Sequence, residues 1–302
     1  MRICVFGAGS IGSCVGGMLA RSHDVTLIGR KANVDAVRAK GLILQGAIRR
    51  RLRIDARESI SDLSPPDLLI VTTKAYATPA VIEACSGWPR EDTIVLTLQN
   101  GLGNLEQLRL WRGDFALGGT TTMGASLIST GVVRVADVGR TVIGSDMNSG
   151  AARSVVAAFR AAGIPTKTTR NIWGEIWSKA IVNASINPIT AILKISNGES
   201  IKNRIVSKLM MEISREGETV AYNRGICLPY KSMYLRTRAV ARQTSSNKSS
   251  MLRDLELGRR TEIRNINGEI CRMGLDAQIP TPLNAAMVAM IESFEHSVVE
   301  KG

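Results

Sequence analysis

Twelve residues at the start of the chain narrow the choice of fold sharply: Met1-Arg2-Ile3-Cys4-Val5-Phe6-Gly7-Ala8-Gly9-Ser10-Ile11-Gly12. Strand-forming apolar residues enter a turn with glycines at Gly7, Gly9 and Gly12, and small residues from Ser13 to Ala20 predict a helix behind it. Each glycine answers a demand of dinucleotide binding. Gly7 permits the tight turn, Gly9 lets backbone approach a pyrophosphate, and Gly12 lets the helix pack close to the sheet. The helix N-terminus then presents N–H groups and a positive dipole end to the phosphates.

A second apolar run, Asp24 to Arg30, follows at βαβ spacing. NAD-binding chains place a carboxylate at the end of this strand for the ribose hydroxyls. Here Arg30 stands there, followed by Lys31. A guanidinium suits a 2′-phosphate and accepts no hydrogen bond from a hydroxyl, so NADP(H) is the expected cofactor. One charge-assisted contact contributes about 1.5–3 kcal/mol, which translates to a preference of about ten- to a few hundredfold.

With 302 residues, two domains are expected. Strand and helix signals alternate to about residue 165, predicting a doubly wound α/β sheet for residues 1–168. Its later strands are expected at Leu68–Thr73, Thr93–Leu98 and Phe115–Gly119, with a hairpin at the sheet edge formed by Val132–Val135 and Thr141–Ile143. Residues 169–302 read as an all-α domain. Its helices are expected at Ile172–Leu193 (interrupted at Pro188), Ile201–Asn223, Lys231–Arg242, Met251–Met273 and Pro282–Val299, with Gly225 and Gly274 as stops. The linker is expected within Gly163–Arg170, and Gln243–Ser250 reads as a mobile loop.

No apolar run reaches the length of a membrane span and no leader pattern opens the chain, which together predict a cytoplasmic protein that engages no membrane. Five cysteines without a C-x-x-C pair point to buried thiols rather than disulfides or a metal site. The net charge of +13 raises nucleic-acid binding, but the basic residues are scattered and aromatic interleaving is absent. The Arg49–Arg53 cluster reads as a guarded strand edge, and the surplus also favours anionic ligands.

Lys74 and Asn100 each follow a predicted strand, where open α/β sheets bind their ligands. The chain has two histidines, His23 in a turn and His296 near the C-terminus, neither well placed for a nicotinamide, so another proton donor is needed. Lys179, Asn183 and Asn187 supply a candidate. They fall at i, i+4 and i+8 on one helix face among small apolar residues. A lysine partly removed from water there would have a depressed pKa and could donate a proton near neutral pH.

Several segments together resemble the ketopantoate reductase (2-dehydropantoate 2-reductase) family. They are Trp177–Asn183, Asn187–Ala191, Asn197–Glu199, Ser249–Asp254, Thr261–Ile263 and Ile266–Gly268, with Lys74-Ala75, Gln99–Gly101 and Gly119–Thr122 in the first half. The resemblance implies NADPH-dependent reduction of ketopantoate to D-pantoate, on the route to pantothenate and coenzyme A. It also implies a helical domain similar to that of 6-phosphogluconate dehydrogenase. Carried onto this chain, it makes Lys179 the proton donor, with Glu262 beside it and the cofactor. Asn100, Asn183, Asn187, Asn197 and Ser250 would join Lys179 in holding the substrate. Gly7, Ala8, Gly9, Ser10, Ile11, Gly12, Arg30, Lys74, Asn100, Ala125 and Glu262 would line the cofactor site. Arg264 departs from the family, where an acidic residue is common after the T-E-I element. A reductase of another 2-keto acid and a non-catalytic NADPH-binding regulator remain alternatives. The sequence leaves oligomeric state open, a homodimer included.

Overall fold

A computed structural model describes residues 1–299, with side chains to residue 295. The side chain of His296 and residues 300–302 of the second expected domain lie outside the described residues. The chain divides into two compact units: Met1–Gln99 with Asn104–Ile172, and Asn100–Gly103 with the chain from Trp173 onward. Among the described residues no helix is long and apolar enough to cross a membrane.

The first unit holds strands β1 (Arg2–Phe6), β2 (Asp24–Ile28), β3 (Leu42–Gly46), β4 (Arg50–Leu52), β5 (Asp55–Arg57), β6 (Leu68–Val71), β7 (Ile94–Thr97), β8 (Ala116–Thr121), β9 (Gly124–Ser129), β10 (Val132–Asp137), β11 (Thr141–Gly144) and β12 (Thr166–Thr169). Among the described residues these form an eight-stranded sheet in the order β12-β11-β8-β7-β6-β1-β2-β5 and a four-stranded sheet β4-β3-β10-β9. The larger sheet is parallel except where β11 meets β8. β6, wholly apolar, and β7, apolar up to Thr97, are buried along their whole length, as strands covered on both faces must be. Helices α1 (Ser10–Leu19), α2 (Lys31–Lys40), α3 (Thr78–Ala84), α4 (Asn104–Arg112) and α5 (Ser149–Ala161) complete the unit. Val5, Leu27, Ile70, Leu96, Leu117 and Phe159 are buried in its core. Strand order reverses between β1 and β6, the position where such sheets bind ligands.

The structure corrects several boundaries. The expected hairpin of residues 132–135 and 141–143 does not form: β10 pairs with β3 and β9, whereas β11 pairs with β8 and β12. Gly139 separates them at φ +60, its amide held by the Asp137 carboxylate. Both strands are short and built around a few valines and isoleucines, so their own residues do not specify a partner. The expected linker also contains a strand, β12. Around β4, the basic cluster forms an exposed edge paired to β3, Leu42 opposite Leu52, in line with the guarded-edge reading. Cys4, Cys14 and Cys85 are buried free thiols, with burial raising the pKa of Cys14 and Cys85 to about 12, but Cys227 is exposed and Cys271 half-buried.

The second unit is helical: α6 (Ile172–Leu193, which begins one residue before it), α7 (Asn197–Lys202), α8 (Arg204–Asn223), α9 (Met233–Gln243), α10 (Ser250–Glu256), α11 (Glu269–Asp276) and α12 (Pro282–Val299). Trp177, Ile181, Met210, Ile213, Met233 and Ile270 pack in its core. Close approach of α8 to α6 depends on Gly217, where a Cβ would lie 2.9 Å from Ile181. The expected helix from 201 to 223 is two, because Asn203 caps α8 by accepting from the amides of Ile205 and Val206. The expected helix from 251 to 273 ends early, with Gly258 at φ +62, and resumes as a wide π-turn at Arg264–Gly268 that runs into α11. Gly274 lies inside α11 rather than ending it; Gln278 at φ +56 follows the helix end. The Gln243–Ser250 stretch is tied down, since the amides of Asn197 and Gly198 donate to the carbonyls of Asn247 and Ser245.

Candidate active site

In the first unit the glycine turn has the shape a dinucleotide requires. Gly7 adopts φ +113 and lies against the backbone of Thr73, where a Cβ would come within 2.6 Å of its nitrogen. The amides of Gly7 and Ala8 both donate to the carbonyl of Ile28, and the Thr72 hydroxyl donates to the carbonyl of Gly7 at 2.9 Å. Gly9 faces open space, with no atom of the described residues within 4 Å of a Cβ built there. The amides of Ser10, Ile11 and Gly12 form the first turn of α1, where N–H groups lack helical acceptors. A locked turn, an open position at Gly9 and free first-turn amides together fit a pyrophosphate.

Two side chains brace this loop. Buried Asn33 donates to the Ala8 carbonyl and accepts from the Gly131 amide. Ser10 Oγ accepts from the Leu127 amide at 2.9 Å, which leaves its hydroxyl hydrogen for a further acceptor. Leu127 belongs to β9, as does Ala125, so the structure brings Ala125's strand to the fingerprint loop. Sequence reasoning missed this second-sheet contribution. Arg30 is exposed at the N-cap of α2, directly after β2 and Gly29. Lys74 follows β6, with Gln99 Nε2 donating to Thr73 and Thr78 beside it.

The second unit gathers most of the other candidates. On α6, Lys179, Asn183 and Asn187 share one face, spread over about 12 Å at 1.5 Å per residue. Burial lowers the Lys179 pKa to about 8, and the nearby Glu262 charge opposes the shift. Glu262 is 6% exposed, so the surface ion pair that its flanking Arg259 suggests is not its setting. It accepts a hydrogen bond from Asn100 Nδ2 at 3.2 Å.

Asn100 reaches Glu262 through a short hook. Leu102 is buried in the helical core, and its amide donates to the Asn265 carbonyl at 2.8 Å. Gly101, at φ +83, packs so tightly on Asn265 that a Cβ would collide with that carbonyl. The sequence set Asn100 beside Lys74 as a strand-end residue; the structure places it in the second unit and Lys74 in the first. An apolar residue between two glycines, Gly101-Leu102-Gly103, was the available signal of a chain entering another core.

At the other end of the α6 face, Thr190 Oγ1 and Ser249 Oγ lie 2.9 Å apart. Ser249 also caps α10, accepting from the Leu252 amide, so Ser250 begins that helix beside the Asn187 turn. Ser250 itself is exposed. Asn197, 8% exposed, donates from Nδ2 to Thr244 Oγ1, while its Oδ1 is buried without a partner among the described residues. Lys179, Glu262 and Asn100 thus form one cluster, and Asn187, Ser250 and Asn197 are set around the other end. Arg264 is exposed and ion-paired with Glu292, so the departure at this position lies at the surface. Such a set can bind a carboxylate and hydroxyls by amide and hydroxyl groups and deliver a proton from an amine.

The family model described as "Ketopantoate reductase PanE/ApbA" matches residues 3–148, and that described as "Ketopantoate reductase PanE/ApbA C terminal" matches residues 171–295. A 2-dehydropantoate 2-reductase from Pyrococcus horikoshii is 39% identical over 298 residues, covering 98% of each chain. The crystal structure of a PanE/ApbA family ketopantoate reductase from Ralstonia eutropha JMP134 is similar with TM-score 0.92 and 30% identity over 99% of both chains. A ternary structure of D-mandelate dehydrogenase with NADH and anilino(oxo)acetate is similar with TM-score 0.93 and 26% identity, again over 99% of both chains.

Proposed function

Because the chain belongs to the ketopantoate reductase family, we propose that it reduces ketopantoate to D-pantoate with NADPH and that Lys179 donates the proton. On this reading residues 1–168 are the cofactor domain and the chain from 169 is the substrate domain. The observation that carries it is the placement of Lys179 on the helix face shared with Asn183 and Asn187, near the Glu262 carboxylate that Asn100 holds, where burial lowers the amine's pKa to about 8.

Gly7–Gly12 and the Ser10 hydroxyl would take the pyrophosphate and Arg30 the 2′-phosphate, with Lys74, Asn100, Ala125 and Glu262 completing the cofactor contacts. The bound reduced nicotinamide supplies a hydride to C2 of the ketone. Lys179 Nζ stabilises the charge that develops on the ketone oxygen and then gives it a proton. Glu262 favours the charged amine against burial, and Asn100 holds the Glu262 carboxylate. Asn183, Asn187, Asn197 and Ser250 hold the substrate's carboxylate and hydroxyl.

The test is NADPH consumption with ketopantoate beside other 2-oxo acids. Ketopantoate should give the highest kcat/KM. The likeness to D-mandelate dehydrogenase favours one competing reading, a reductase of the 2-oxo acid that corresponds to mandelate, and preference for that compound would replace ketopantoate.

Two further outcomes are expected. A proton donor must be protonated, so kcat/KM for reduction should fall as pH rises through about 8. Glu262 raises the amine's pKa, so Glu262→Gln should move that basic limb to lower pH; a limb that stays in place would separate Glu262 from the amine. For the cofactor, Arg30→Asp should cut the NADPH-over-NADH preference in kcat/KM by about tenfold or more. Equal use of the two cofactors by the unaltered enzyme would overturn the role of Arg30.

A further inference from the structure

Helix α6 continues through Pro188 to Leu193, although its sequence predicts an interruption there. Proline has no N–H, so the carbonyl four residues earlier, that of Ala184, loses its helical donor. Ala184 is fully buried, so water does not replace that donor at its surface. The replacement comes from the π-turn. Asn267 Nδ2 donates to the Ala184 carbonyl at 3.1 Å and to Asn284 Oδ1 at 3.0 Å.

The orientation of Asn267 follows from its neighbours. Glu216 accepts from the amides of Leu283 and Asn284 at the start of α12, and from Asn284 Nδ2 at 2.7 Å. A carboxylate only accepts, so Asn284 turns its nitrogen to Glu216 and its oxygen to Asn267. The Ala184 carbonyl also only accepts. Asn267 therefore presents its nitrogen to both, and its own oxygen is left buried without a partner among the described residues. The cost of that orphaned oxygen is accepted to keep a donor on Ala184. Glu262 lies two residues before that turn and is tied to it, its carbonyl accepting from the amides of Asn265 and Ile266. One short segment thus reaches both ends of the α6 face: Glu262 near Lys179, and Asn267 at the Pro188 turn.

We propose that Asn267 is a positioning residue for substrate recognition: its side chain replaces the backbone donor missing at Pro188 and so holds Asn187 on the Lys179 face. The substrate part of this statement rests on the reading of Asn187 as a substrate contact. Without the Asn267 donor, the Ala184 carbonyl is unpaired, α6 kinks at Pro188 and Asn187 swings with the last turn.

The test pairs Asn267→Ala with Pro188→Ala, because an alanine at position 188 restores the backbone donor to Ala184. Asn267→Ala should raise KM for the 2-oxo acid about tenfold or more, with kcat and KM for NADPH within about twofold. Amide hydrogen exchange at Ile189–Leu193 should quicken. Both effects should be reversed in the double variant, while Pro188→Ala alone leaves KM unchanged. An unchanged KM and exchange in Asn267→Ala overturns the proposal, as do losses that persist in the double variant. Faster exchange that Pro188→Ala reverses, with no change in KM, overturns the substrate role and traces the failure to Asn187. If Asn267→Ala does not fold, recovery of folded protein by Pro188→Ala supports the proposal and no recovery overturns it.

Discussion

Lys179→Ala should lower kcat for 2-oxo acid reduction by about 10²–10⁴-fold, the range general acid catalysis supplies, while NADPH affinity changes by less than about twofold. The asymmetry follows from position: Lys179 lies on α6 of the helical unit and the fingerprint loop lies in the other unit. A variant with full kcat would remove the amine from the chemistry. The same residue should cost stability. Its folded pKa, about 8, lies below its ordinary value of 10.5, so between these values the unfolded chain binds the extra proton. The penalty on the folded state is complete below pH 8 and disappears as pH rises towards 10.5. Lys179→Met should therefore stabilise the cofactor-free protein at pH 7 by on the order of 3 kcal/mol, at about 1.4 kcal/mol per pKa unit. The gain should vanish near pH 10.5. A lysine retained at such a cost is what an acid–base role predicts, whereas a lysine serving the fold would lose stability on replacement.

Local rules succeeded where a residue's neighbours in sequence are its neighbours in space. The glycine turn, the helix face of Lys179, Asn183 and Asn187, the stop at Gly225 and the start of α12 at Pro282 all answer to spacing within a few residues. What was hidden depends on distant partners. Nothing near Pro188 says that Asn267 will supply its missing donor, so interruption was the reasonable expectation. Nothing in β10 and β11 says that they join different sheets. Asn100 reads as the end of β7's loop until Leu102 is seen buried among helices. Glu262 alone looks like a solvated carboxylate between charged and polar residues, and only its burial and the Asn100 donor give it another setting. The family resemblance named Glu262, Asn197 and Ser250 where spacing alone did not. It did not indicate the second sheet's grip on Ser10.

The glycine turn permits a paired test that separates folding from binding. In Gly12→Ala the new Cβ would collide with the Gly7 carbonyl oxygen and Thr72 Oγ1. Neither atom can retreat cheaply. Gly7 is held through its amide by Ile28 and is pressed against Thr73, and the Thr72 hydroxyl is spent on the Gly7 carbonyl. The expected loss is about 3 kcal/mol of stability, the upper end for forced overpacking, measured by chemical denaturation without cofactor. In Gly9→Ala the methyl enters open space at φ −81, a conformation any L-residue adopts, so stability should stay within about 0.5 kcal/mol. That open space is where a pyrophosphate would lie against the backbone, so NADPH affinity should fall about tenfold or more. Fluorescence titration of NADPH reads this without turnover. If Gly9→Ala binds NADPH as tightly as the parent, the fingerprint loop is not where the pyrophosphate lies; if Gly12→Ala is as stable as the parent, α1 has slack that the packing against Gly7 denies.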